Sequence, residues 1–121
     1  MRSRLMLVPF AALLACGGGY DSSGPGTGGG GSTPAPTTAA VNMTANQFSP
    51  KSVRIAKGGI VTWTNSDGYA HDVTFDGNPG VANIPAFLTG SQSATMPAAA
   101  TSIAYHCTIH GAAMSGTIKV E

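Results

Sequence analysis

From Val41 to Glu121 the chain alternates between short runs of apolar or β-branched residues and clusters of Gly, Pro, Asn, Asp and Ser. Val41-Asn42-Met43-Thr44-Ala45 alternates loosely, and Phe48-Ser49-Pro50-Lys51 reads as a turn. Val53 and Ile55 alternate with Arg54 and Ala56, and Lys57-Gly58-Gly59 supplies a tight turn, since Gly accepts positive φ. Ile60 to Asn65 is rich in β-branched and aromatic residues and is broken by Ser66-Asp67-Gly68. His71 to Phe75 sets Val73 and Phe75 on one face of a strand. Asp76 to Gly90 reads as a long loop with one helical turn around Ile84 to Leu88. Ser91 to Met96 and Ser102 to Cys107 are strands around a Pro97–Ala100 turn, and Gly116 to Val120 closes the domain. The pattern predicts an all-β fold of seven or eight strands, arranged as an antiparallel β-sandwich, with no long helix.

The N-terminal third has a different pattern. Met1 to Arg4 is basic, and Leu5 to Leu14 is an apolar run of ten residues. A membrane-spanning helix needs about 20, so the run fits the core of an export signal. It ends in Leu13-Leu14-Ala15-Cys16, which resembles the lipobox of bacterial lipoproteins, in which the Cys becomes the first mature residue and carries lipid. Residues 1–15 are therefore expected to be a lipoprotein signal peptide and Cys16 the lipidated residue. Residues 16–40 are almost entirely Gly, Ser, Thr, Pro and Ala, a composition with little apolar surface to offset the entropy of ordering. They are expected to form a flexible tether, leaving residues 41–121 as one domain. Gly17, rather than Asp, follows Cys16, which resembles the class directed to the outer membrane. The expected location is the periplasmic side, at the outer membrane in preference to the inner, or the cell surface.

Charge adds one exclusion. Within the domain, Lys51, Arg54, Lys57 and Lys119 balance Asp67, Asp72, Asp76 and Glu121. No basic surface points to nucleic acid, and no charged block points to strong electrostatic steering of a partner. Cysteine usage is more informative, for the chain has two, Cys16 and Cys107. With Cys16 lipidated, Cys107 has no disulfide partner in an exported protein. It is then either buried and inert or held as a thiolate by a metal.

The second possibility gains from the surroundings of Cys107. In Tyr105-His106-Cys107-Thr108-Ile109-His110-Gly111-Ala112-Ala113-Met114, a His follows the Cys by three positions and a Met follows by four more, on what reads as one short loop. His71 opens a strand upstream. One thiolate, two imidazoles and a weak axial thioether make the donor set of an electron-transfer copper site. Thiolate and thioether suit Cu(I), and imidazole is acceptable to both oxidation states, so little need move when an electron passes. His106 neighbours Cys107 on a strand and so points to the opposite face.

Phe48-Ser49-Pro50, Val61 to Asn65, His71 to Asp76, Tyr105 to Met114 and Gly116-Thr117-Ile118 occur in the order found in cupredoxins, and the domain resembles the plastocyanin and amicyanin type. The resemblance implies a Greek-key sandwich holding one type 1 copper ion. It assigns His71, Cys107 and His110 as the trigonal ligands and Met114 as the axial one. It also implies that Asn65 buttresses the turn before His71, and that Gly111, Ala112 and Ala113 belong to an apolar patch where partners dock. Two positions depart from the family. Three residues separate His110 from Met114, between the spacings of amicyanin and plastocyanin. Asp72 stands where the family often has Asn, and its carboxylate near copper should favour Cu(II).

The resulting expectation is a type 1 copper electron carrier rather than an enzyme. It would be monomeric, tethered to a membrane by lipid, and served by a redox protein such as a cytochrome, oxidase or reductase that docks weakly. The alternative is copper capture or delivery by the same ligands without redox shuttling. A self-contained multicopper oxidase or copper nitrite reductase is excluded, because the chain has three His and the type 1 site uses two.

Overall fold

Strict alternation of buried and exposed side chains builds the walls of the domain. Along Ile60–Asn65 every second residue is buried, and the same holds for His71–Phe75. A computed structural model describes residues 33–121. The expected signal peptide, Cys16 and the expected tether up to residue 32 lie outside the described residues.

Nine strands occur among the described residues: β1 (Thr38–Thr44), β2 (Gln47–Ser49), β3 (Ser52–Ile55), β4 (Ile60–Asn65), β5 (His71–Phe75), β6 (Ile84–Phe87), β7 (Gly90–Thr95), β8 (Thr101–Cys107) and β9 (Gly111–Val120). They form two sheets, ordered β2-β1-β4-β7 and β3-β9-β8-β5-β6. The all-β sandwich is the one the pattern predicts, with more strands than the seven or eight expected. The additional strands are β2, where Phe48 reads as part of a turn, and β6, where a helical turn was expected. Phe48 is buried against Tyr105, with ring centroids 4.7 Å apart, so tertiary packing extends what local turn residues suggest. Ile84 and Phe87 pair with Val73 and His71 across β5.

Two pairings, β1 with β4 and β3 with β9, are parallel, so the sheets are mixed rather than wholly antiparallel. The chain crosses between sheets after β2, β3, β4, β6 and β7. Neighbours within a sheet are then often not consecutive and can run the same way. The folded region also begins earlier than Val41. β1 starts at Thr38, Ala56 N–H donates to Pro36 O at 2.8 Å, and Ile60 N–H donates to Thr37 O at 2.9 Å. Backbone pairing needs no particular side chain, which is why a run of Pro, Thr and Ala conceals it.

The core is aromatic at its centre. Trp63, on β4, meets Phe75 and Tyr105 of the facing sheet edge-on, with ring centroids 5.8 and 5.6 Å apart. Each such pair contributes about 0.5–1.5 kcal/mol beyond area burial. Burial pushes the Tyr105 hydroxyl up to about 12, with the Trp63 indole acting weakly the other way. Gly116 on β9 is a close-approach position. A Cβ there would lie 2.5 Å from Tyr105 Cζ and 2.9 Å from Lys51 O. At the surface, Arg54 grips Glu121 through Nε at 3.1 Å and a second nitrogen at 2.7 Å, and Lys119 reaches Glu121 at 2.8 Å.

Two outcomes follow for stability. Gly116→Ala should lower unfolding stability by about 1–3 kcal/mol, as overpacking against a rigid ring and a backbone carbonyl does, measured by urea denaturation. Hydrogen bonds from Arg54 and Lys119 hold the Glu121 carboxyl at about 2, below its ordinary 4.5. Its stabilising contribution is therefore present above about pH 4.5 and is lost as pH falls toward about 2. The difference in thermal midpoint between the native chain and Glu121→Gln should shrink over that interval and with added salt.

Candidate metal centre

The last residue of β8 and the first of β5 meet at one end of the sandwich. Cys107 is fully buried on the same face of β8 as Ile103 and Tyr105. The antiparallel pairing of β5 with β8, Thr74 to His106 and Phe75 to Tyr105, carries His71 toward Cys107 although 36 positions separate them in sequence. A three-residue turn, Thr108 to His110, then folds His110 back over the thiol. Gly111, which follows, has φ +65°, the left-handed region that favours glycine. That conformation lets the chain reverse directly after His110 and start β9.

The donor atoms converge. Cys107 Sγ lies 3.9 Å from His71 Nδ1 and 3.6 Å from His110 Nδ1, and the three donors all fall within 4.8 Å of one another. Metal bonds of about 2.3 Å to thiolate and about 2.0–2.1 Å to imidazole place sulfur and nitrogen about 3.6–3.8 Å apart, for angles between tetrahedral and trigonal. The observed spacings bracket that range, so the donors fit a single ion. Thiolate with imidazole is a set that suits copper. The imidazoles differ in exposure. His71 is fully buried, whereas His110 is half-exposed at the protein surface. Their rings are tilted by 48°, with centroids 4.9 Å apart.

Met114 is fully buried and lies within β9. The expectation of one short loop carrying Cys107, His110 and Met114 is corrected here. β9 begins at Gly111, so Met114 stands on a strand paired with β8, and the irregularity falls in the pairing between His106 and Cys107. Gly111, Ala112 and Ala113 run along the start of the same strand, with both alanines exposed.

Two acidic side chains and one amide brace the ligand segments. Asp72 accepts from the Thr108 amide and the Thr108 hydroxyl, both at 2.6 Å, and from the Thr74 hydroxyl at 3.3 Å. It thereby ties the ligand turn to β5. Burial is the largest single influence on Asp72 and raises its pKa. The Thr108, Cys107 and Thr74 donors together outweigh it and hold the carboxyl below the ordinary carboxylate value. Asn65 is buried and donates from Nδ2 to Tyr69 O at 2.6 Å and Phe87 O at 2.7 Å, while its Oδ1 accepts from Asp67 N–H at 3.3 Å.

Asp67 is the site residue that the sequence reading missed. Both of its carboxylate oxygens lie on His71 Nε2, at 3.0 and 2.9 Å. Burial again raises its pKa most, and bonds from His71, Tyr69 and Asn46 bring it below the ordinary value. In sequence, Ser66-Asp67-Gly68 reads as a strand breaker. The available signal was a carboxylate four positions before a candidate ligand His, across a glycine turn. His106 points away from the centre, half-exposed, and pairs with Asp76 at 2.9 Å.

With the site built, the comparisons with known proteins bear on its identity. Residues 36–121 match the family model for copper binding proteins of the plastocyanin/azurin family. A plastocyanin from Scenedesmus fuscus is 40% identical over 85 residues, covering 61% of this chain and 86% of that protein. A reduced, Cu(I) form of an amicyanin variant superposes with TM-score 0.63 at 25% identity, covering 74% of this chain and 87% of that one. An oxidized form of another amicyanin variant gives TM-score 0.62 at 26% identity, covering 69% and 82%. The match to the family model spans the whole described sandwich apart from residues 33–35 and includes every donor considered above. The chain belongs to the plastocyanin/azurin family of copper-binding proteins, and its cofactor is copper.

Proposed function

We propose that this protein is a type 1 copper electron carrier. The observation that carries the reading is the convergence of one buried thiol and two imidazole Nδ1 atoms at a single point, one imidazole buried and the other half-exposed. Bound copper supplies the Cu(II)/Cu(I) couple, which takes up and releases one electron. The chain supplies the rest. Cys107 and His71 are fully buried, Cys107 in the same packed cluster as Trp63, Phe75 and Tyr105, while His110 reaches the surface. Met114, buried on β9, is the proposed axial ligand.

The proposed exit is the His110 edge. Ala112 and Ala113 are exposed beside it, and Tyr69, Leu88 and Ile109 are exposed at 69%, 60% and 52% on the loops that surround the centre. Large exposed apolar side chains concentrated at one end mark an interaction surface. A small uncharged patch suits brief docking to a redox protein. The N-terminal pattern supports an exported protein held to a membrane through lipid on Cys16, with the Gly- and Ser-rich sequence ahead of β1 as the proposed tether. The full reading is a membrane-tethered, monomeric shuttle on the periplasmic side or cell surface.

Loading with Cu(II) should give an intense thiolate-to-copper charge-transfer band and a type 1 EPR signal, and Cys107→Ser should abolish both. A colourless protein that binds Cu(I) alone would instead support copper delivery. Asp72→Asn removes a negative charge while keeping an acceptor for Thr108. It should raise the reduction potential, by an amount on the order of tens of mV, in protein-film voltammetry. No change, or a fall, would count against a role for this carboxylate in setting the potential.

A further inference from the structure

A carboxylate accepts hydrogen bonds and donates none. With Asp67 ionised and both its oxygens on His71 Nε2, that nitrogen must carry the ring proton. A neutral imidazole then keeps its lone pair on Nδ1, the atom that faces Cys107 Sγ. The ring cannot turn over without burying an unsatisfied N–H, for His71 is fully buried.

Asp67 is itself held in place. Its Oδ1 accepts from the Tyr69 amide at 3.1 Å, and its own amide donates to Asn65 Oδ1 at 3.3 Å. Asn65 in turn grips the carbonyls of Tyr69 and Phe87. Ser66 N–H donates to Met43 O at 3.2 Å, anchoring the same turn to β1. Gly68, at φ +77°, bends the chain so that residue 67 comes back onto residue 71. The Asp67 side chain is only 14% exposed, so its charge acts with reduced screening by water.

We propose that Asp67 is a positioning residue for the copper centre: it locks His71 with Nδ1 toward the metal and, through its charge, favours Cu(II) over Cu(I). The inference rests on the copper reading of the site. The physical basis is general. A carboxylate on the far nitrogen of a ligand imidazole fixes the tautomer and makes the ring a stronger donor, and removing such partners typically weakens metal affinity by about 10–100-fold. The more charged ion gains more from a stronger donor and a nearby anion, so the loss falls more heavily on Cu(II). His110 provides the internal contrast, because no carboxylate contacts its ring among the described residues.

The test uses the full chain with two substitutions, Asp67→Asn and Asp67→Ala. The first keeps a carbonyl acceptor for Nε2–H and removes the charge; the second removes both. In the copper-free protein, the ring nitrogen shifts of His71 from two-dimensional ¹⁵N–¹H spectra should show the Nε2–H tautomer in the native chain and in Asp67→Asn. Asp67→Ala should show a mixture. In the copper-loaded protein both variants should keep the charge-transfer band and shift to higher potential. A tenfold greater loss of Cu(II) affinity than of Cu(I) affinity appears as a rise of about 59 mV. A purely structural role would lower the melting temperature and leave tautomer and potential where they were. An unchanged potential in Asp67→Asn, or an unchanged tautomer in Asp67→Ala, overturns the proposal. Absence of the band in the native chain would overturn the type 1 reading, while the copper-free tautomer would still decide what Asp67 does to His71.

Discussion

Everything in this domain depends on holding one sulfur atom between two ring nitrogens in a dry place. Cys107 and His71 come from strands far apart in sequence, and their approach is set by the β5–β8 pairing rather than by any local preference. The pairing in turn needs both sheets closed on the cluster of Trp63, Phe75, Tyr105 and Phe48. A close-packed interior has few soft directions in which a donor atom can move. The same packing that stabilises the sandwich therefore fixes the donor spacing. A centre whose ligands shift little between oxidation states needs little reorganisation, and rigidity of this kind comes from the fold and not from the ligands themselves.

The loops add a second layer of control, and they do so through charge. Asp67 lies in the turn that leads into β5 and Asp72 on β5 itself, yet they act on different groups. Asp72 holds the backbone and hydroxyl of Thr108, next to Cys107, and so sets where the ligand turn sits. Asp67 holds a ligand ring by its far nitrogen. Both carboxyls are kept below their ordinary pKa by the donors around them despite the opposing effect of burial, so each is a fixed negative charge at neutral pH. Two anions beside one redox ion act in the same direction. In the proposed centre they lean toward the oxidised state, against the preference of thiolate and thioether for Cu(I).

Much of this was legible in the sequence, for specific reasons. The alternation in Ile60–Asn65 and His71–Phe75 survives in the folded chain because each strand has one dry face. The triad His71, Cys107 and His110 was legible because a Cys with a His three positions later, and a second His opening an upstream strand, supplies the thiolate and imidazole donors of a copper site. What was not legible depends on tertiary contact. β2 and β6 are short and are defined by their partners more than by their own residues. The start of β1 lies in a Thr- and Ala-rich run that pairs through its backbone. Met114 reads as part of a loop because the closing strand was expected to start only at Gly116, whereas the irregularity in the β8–β9 pairing absorbs the distortion and lets β9 begin at Gly111. Asp67 was read as a breaker because nothing in a Ser-Asp-Gly sequence shows which way its carboxylate points.

The unequal burial of the two histidines divides the work of the site. An electron must leave through some group that reaches the surface, and His71, fully buried and clamped by Asp67, is poorly placed for that. His110 is half-exposed and has exposed apolar side chains around it. If a charged clamp were placed on His110 instead, its anion would lie in the proposed docking face and would repel or trap partners according to their charge. In the proposed centre a carboxylate on the buried ring acts on the ion, while no carboxylate contacts the exposed ring among the described residues. The domain's balanced charge fits the same arrangement, since no strong field is present to hold a partner after the electron has passed. In the proposed carrier, tuning from the inside and exchange at the outside are separate tasks, and each falls to a different histidine.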